Sequence, residues 1–109
     1  MDYKLIISES AQKQIESAID YIVTILQNPG AAEAVITDLR KAYSKIAYMP
    51  ESISLCLDPV LHRNGYRKLR LEHHDYVLIF RIDENVVKIV GFFHRLEDYI
   101  EKFNYILNK

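Results

Sequence analysis

The sequence predicts an α+β fold of order β-α-α-β-β-β-α, in which an antiparallel sheet carries a helical hairpin on one face. Three observations lead there. Apolar residues recur at steps of three and four through 11–26 and again through 35–46, the spacing of one helix face. Three runs between 66 and 93 have strand composition and are separated by short polar turns. Asn28-Pro29-Gly30 interrupts the helical pattern, and so short a link makes the second helix fold back beside the first.

Each element can be justified in order. "YKLII" (3–7) is a short β-branched and aromatic run that ends at Ser8. Ser8 or Ser10 then offers an N-cap, with Glu9 close to the positive end of the helix that follows. The first stripe is Ala11, Ile15, Ala18, Ile19, Ile22 and Leu26; the second is Val35, Leu39, Ala42, Tyr43 and Ile46, with Pro50 limiting its far end. Residues 50–64 have no clean period, yet Ile53, Leu55, Leu57, Val60 and Leu61 predict a loop that packs down. In "YRKLRLE" (66–72), Lys68 and Arg70 point one way while Leu69 and Leu71 point the other. "YVLIFRI" (76–82) is apolar throughout, as a central strand buried on both faces would be. Asp83-Glu84-Asn85 turns the chain into "VVKIVGFF" (86–93), and Leu96, Phe103 and Leu107 continue at helical spacing.

Composition excludes several classes. The 109 residues, 50% hydrophobic and 27% charged, suit one domain over 1–109 with one core and little disorder. A net charge of −1 gives no general affinity for nucleic acid. A lone cysteine, Cys56, allows no internal disulfide, suits a reducing compartment, and reads as a small buried apolar residue. The N-terminus turns polar after three apolar residues, and no run approaches the ~18 apolar residues of a membrane span. The expectation is a cytoplasmic protein with no membrane partner. No cofactor motif is present. The adjacent His73-His74 is poorly spaced for joint metal binding within a strand, so no metal site is expected and these imidazoles read as turn residues.

The candidate functional residues are cations brought together from separate segments. Lys68 and Arg70 share the sheet face turned away from the leucines, with Arg63 and Arg67 just before them. In an antiparallel meander, the end of the 66–72 strand and the end of the 86–93 strand both lie near Tyr76. Arg70 should therefore meet His94-Arg95 at one end of the sheet, with Tyr99 about one helical turn later. Such a cluster can bind phosphates by charge-assisted hydrogen bonds, hold an acidic protein segment, or keep an open face in solution.

The order of elements, "GYRKLRLE", "YVLIFRIDEN" and "VVKIVGFFHRLEDY" together resemble the RelE/ParE superfamily of toxins from bacterial type II toxin–antitoxin modules, over almost the whole chain. The resemblance implies a growth-inhibiting cytoplasmic toxin. Its partner would be a cognate antitoxin that docks along the sheet and helical hairpin in a hetero-oligomer.

The superfamily divides, and both branches stay open. RelE-like members are metal-independent endoribonucleases that cut mRNA on the ribosome; ParE-like members poison DNA gyrase. On the first branch Lys68, Arg70, His94, Arg95 and Tyr99 would be catalytic. On the second, Arg63, Arg67, Lys68, Arg70 and Arg95 would bind the target or its phosphates. RelE-like toxins carry arginine immediately after the position of Tyr76, where this chain has Val77. Valine can neither donate to nor neutralise a phosphate, so the sequence leans to the ParE-like side. An inactive relative that only binds antitoxin is a third reading.

Overall fold

The computed structural model describes residues 3–94 and residue 101. Strand β1 (Lys4–Ile7) leads into helix α1 (Glu9–Thr24), and α2 (Pro29–Tyr48) returns beside it. A 3-10 turn (Pro50–Ser52) and a short helix α3 (Pro59–Arg63) precede β2 (Tyr66–Arg70), β3 (Tyr76–Asp83) and β4 (Val86–His94). The terminal helix expected from Leu96, Phe103 and Leu107 lies outside the described residues.

Local chemistry explains the helix boundaries. Ser8 Oγ accepts the Ala11 N–H at 3.1 Å, satisfying one of the donors a helix start leaves open. Asn28 caps α2 in the same way through Ala31 N–H at 3.1 Å, and Pro29 occupies the first helical turn, where its missing N–H costs nothing. The Asn28-Pro29-Gly30 interruption is thus the start of the second helix. Asp58 caps α3, accepting from the N–H groups of Val60 and Leu61 at 3.1 Å each.

The sheet order is β1-β4-β3-β2. Strands β2, β3 and β4 form the expected antiparallel meander, while β1 pairs parallel to β4, so the sheet is mixed. The register places Arg70 opposite Val77 and Tyr76 opposite His94. It shifts once, between Ile79 and Phe80: Ile79 faces Gly91 and Phe80 faces Ile89, so β4 carries an extra residue there. A Cβ at Gly91 would lie 2.6 Å from the Phe93 ring, which explains a glycine in the middle of a core strand.

One face of the sheet packs on the hairpin. Leu71, Leu78, Phe80, Val87, Ile89 and Phe92 meet Ala11, Ile15, Leu39, Ala42 and Ile46. Each large side chain buried there contributes roughly 1.5–3 kcal/mol. The Phe92 N–H donates to Gln14 Oε1 at 3.0 Å and helps seat α1 on β4.

The second face is covered as well. The segment between α2 and β2 folds across it, so that Cys56, Leu61 and Tyr66 bury Val77, Ile79 and Phe93. Backbone bonds fasten this cover along the β2 edge: Cys56 N–H to the Tyr66 carbonyl at 2.9 Å and Lys68 N–H to the Ser54 carbonyl at 3.3 Å. Ile53 and Leu61 pack down as predicted and Leu55 does so in part, whereas Leu57 and Val60 face solvent; β3 is buried on both faces because of this cover.

Candidate functional site

The end of the sheet where β2 stops, β3 starts and β4 ends forms a cleft of about 410 Å3. The turn joining β2 to β3 supplies Glu72, His73, His74 and Asp75; the strands supply Arg70, Tyr76 and His94; Ile22 and Leu26, at and just past the end of α1, and Ala31 and Val35 at the start of α2 close its apolar side. The Leu71 N–H donates to the Tyr76 carbonyl at 2.9 Å and pins the base of the turn.

Tyr76 is the floor of this cleft. Its ring stacks on Phe92, with centroids 4.8 Å apart and 12° between planes. The His94 imidazole meets it edge-on at 5.3 Å and 86°. Both are favoured aromatic geometries, so His94 is oriented by ring packing as well as by the strand. Arg70 reaches Asp75 with an N···O distance of 2.8 Å, both side chains largely exposed. An exposed pair of this kind contributes only ~0–1 kcal/mol, which leaves the guanidinium easily recruited by a stronger partner.

Beneath the turn lies a residue that sequence reasoning missed. Asp38, on α2, is only 2% exposed. Its Oδ2 accepts the His73 backbone N–H and faces His74 Nδ1, each at 2.8 Å. Burial opposes its ionisation, but the His74 hydrogen bond, the His73 N–H and the charge of both imidazoles outweigh that penalty. Its carboxyl is held below the ordinary value of 3.8. His74 is therefore bonded into the fold, in contrast to the expected turn-exposed imidazole; the His73 side chain does face solvent. A signal existed: Asp38 falls three residues after Val35 and four before Ala42, on the apolar stripe. A ligand atom from each of Asp38, Glu72 and His73 lies within 4.8 Å of the others.

The other sequence-predicted residues are distributed as follows. Arg70 and His94 come together in the cleft. Lys68 shares the second sheet face with Arg70 and is half-buried opposite Ile79. Arg67 points to the helix side instead, where Nη1 donates to the carbonyls of Ile53 and, at 3.3 Å, Glu51. It holds the cover segment. Arg63 is exposed in the last turn of α3 and does not line the cleft. Arg95 and Tyr99 lie outside the described residues. Arg81, which the sequence did not single out, lies over the Tyr66 ring at 5.8 Å. Val77 is 4% exposed within the apolar filling of the second face. Cys56 lies there too, and burial raises its thiol, with Lys68 opposing and Asp58 adding to the rise.

A four-stranded mixed sheet with β1 parallel beside β4, backed by a helical hairpin, defines a ParE-like fold. A solved structure of the chromosomal ParDE TA system from P. aeruginosa has this fold: TM-score 0.69 at 18% identity, covering 84% of this chain and 95% of that one. No curated protein matches the chain. Residues 5–99 match the model of the ParE toxin of the type II toxin–antitoxin system, parDE, and the chain belongs to that family. No helix among the described residues is long and apolar enough to cross a membrane.

Proposed function

We propose that this chain inhibits growth by docking on a large target, with DNA gyrase favoured, and that a cognate antitoxin neutralises it. The observation that carries the choice of target is the packing around Val77. A metal-free ribonuclease must neutralise the phosphate and move protons at both ribose oxygens, which needs cations and acid–base groups converging on one point. Here the middle of the corresponding sheet face is occupied by Val77, Ile79 and Phe93 under Cys56, Leu61 and Tyr66. Lys68 and Arg70 remain at its border. With that centre buried and Lys68 and Arg70 at its border, this face brings no convergent acid–base set to one phosphate among the described residues, which favours docking over phosphoryl chemistry.

The cleft of Arg70, Tyr76 and His94 is the proposed contact zone for the target. For the antitoxin, we favour the groove of about 790 Å3 along the hairpin, where Ile15, Ile19, Val23, Ile36 and Leu39 form an apolar floor. A groove of this kind accepts an amphipathic helix. The test uses purified protein with gyrase and relaxed plasmid. Loss of supercoiling with trapped cleavage complexes, reversed by antitoxin, supports the reading. Untouched supercoiling, together with new codon-positioned cuts in transcripts after induction, would replace it with the endoribonuclease.

A further inference from the structure

The β2–β3 turn and α2 hold a group of side chains to which the docking reading assigns no separate role. We propose that Asp38, Glu72 and His73 form a binding site for one divalent transition-metal ion of the zinc class. Two independent observations converge. A ligand atom from each residue lies within 4.8 Å of the other two. Asp38, 2% exposed, has its Oδ2 engaged by His73 N–H and His74 Nδ1, while its Oδ1 has no hydrogen-bond partner. A buried carboxylate oxygen without a donor is costly in a native structure and asks for a cause. A metal ion supplies one.

The geometry is close to that of a coordination sphere. Zinc binds carboxylate oxygen and imidazole nitrogen at about 2.0–2.2 Å, so two ligand atoms on one tetrahedral ion stand roughly 3.3–3.5 Å apart. His73 Nε2 and Glu72 Oε1 are already 3.6 Å apart. Bringing them onto Asp38 requires a closure of at most about 1.5 Å by side chains that are 61% and 69% exposed in a turn. The His73 N–H and the His74 imidazole hold the Asp38 carboxylate through Oδ2, as partners behind a metal ligand ordinarily do, and leave Oδ1 for the ion.

Donor type selects the ion. One nitrogen and two carboxylates suit zinc and its neighbours, whereas calcium and magnesium demand six or more oxygens in all. Lys41, Lys45 and Arg70 border the adjoining cavity of about 220 Å3. Both lysines are exposed and can swing into solvent, and Arg70 is paired with Asp75. Water would fill the fourth position. The bound ion would fasten the turn carrying His74, Asp75 and Tyr76 to α2, and so fix one wall of the cleft.

The experiment uses tag-free protein stripped with EDTA, dialysed, and titrated with ZnCl2 by calorimetry and by thermal unfolding. One ion per chain, with a midpoint raised by several degrees, is expected. Glu72→Gln and His73→Ala alter exposed side chains, so both should fold; each should weaken binding at least tenfold, while His62→Ala should not. Absence of any midpoint shift at tenfold excess zinc would overturn the proposal. So would unchanged affinity in both variants, which would put the ion elsewhere. An equal response to MgCl2 would overturn the assignment of metal class.

Discussion

Replacing Asp38 by alanine is the most informative perturbation of this fold. The carboxylate accepts two bonds at 2.8 Å, from His73 N–H and His74 Nδ1. Hydrogen bonds to a charged group contribute ~1.5–3 kcal/mol each, or ~3–6 kcal/mol together. Two effects offset that sum. Removing Asp38 also removes the unpartnered Oδ1, relieving a burial penalty of ~1–3 kcal/mol. Alanine is also the better helix former by up to ~0.7 kcal/mol. The net expectation is a loss of about 2 kcal/mol at neutral pH, which for a domain near this size lowers the thermal midpoint by roughly 8–16 °C.

Thermal unfolding of both proteins in EDTA measures it without any contribution from bound metal. The sign of the pH dependence follows from the depressed carboxyl. The stabilisation is fully present above the unfolded value of 3.8 and is lost as pH falls through the lower folded value. The gap between wild type and Asp38→Ala should therefore close only below about pH 4. His73, His74 and Glu72 surround this carboxylate and Lys41, Lys45 and Arg70 line the same cavity, so the comparison is made as a difference between the two proteins. An alanine variant as stable as wild type at pH 7, or a gap that widens toward pH 3, would refute the reasoning.

Four further outcomes are expected. Gly91→Ala should destabilise by about 1–3 kcal/mol in urea unfolding, because its Cβ would lie 2.6 Å from the buried Phe93 ring. Val77→Arg should unfold the protein or cost several kcal/mol without creating ribonuclease activity, since it would bury an unpaired charge in the second core; circular dichroism and a transcript-cleavage assay check both halves. Cys56 should react with iodoacetamide at neutral pH much more slowly than free cysteine, because the thiol is buried and raised; mass spectrometry over time reads the rate. Arg70→Glu should leave stability within about 1 kcal/mol, as its pair with Asp75 is exposed, yet weaken target inhibition sharply.

Much of this architecture is legible from patterns that repeat. Leu69 and Leu71 alternate with Lys68 and Arg70, and that alternation alone assigns the helix-facing side of β2. The hairpin follows from its stripes and from Asn28-Pro29-Gly30. The meeting of Arg70 with His94 follows from antiparallel order and survives because the register shift lies further along, between Ile79 and Phe80. What escaped depends on single contacts across long stretches of chain. Asp38 and His74 are 36 residues apart, and no periodicity links them. The cover formed by Cys56 and Leu61 comes from a segment without period, so its apolar residues reveal burial but not which face they bury. Arg67 looks like one more surface cation until the Glu51 and Ile53 carbonyls claim it.

If this ParE-family chain docks on a DNA-handling target, as proposed, replication fails before translation does. Pulse labelling of DNA and protein synthesis in the minutes after induction, with and without co-expressed antitoxin, tests it most directly. Thymidine incorporation should stop first while methionine incorporation continues, and co-expressed antitoxin should restore thymidine incorporation. Translation failing first, with DNA synthesis still running, would contradict it.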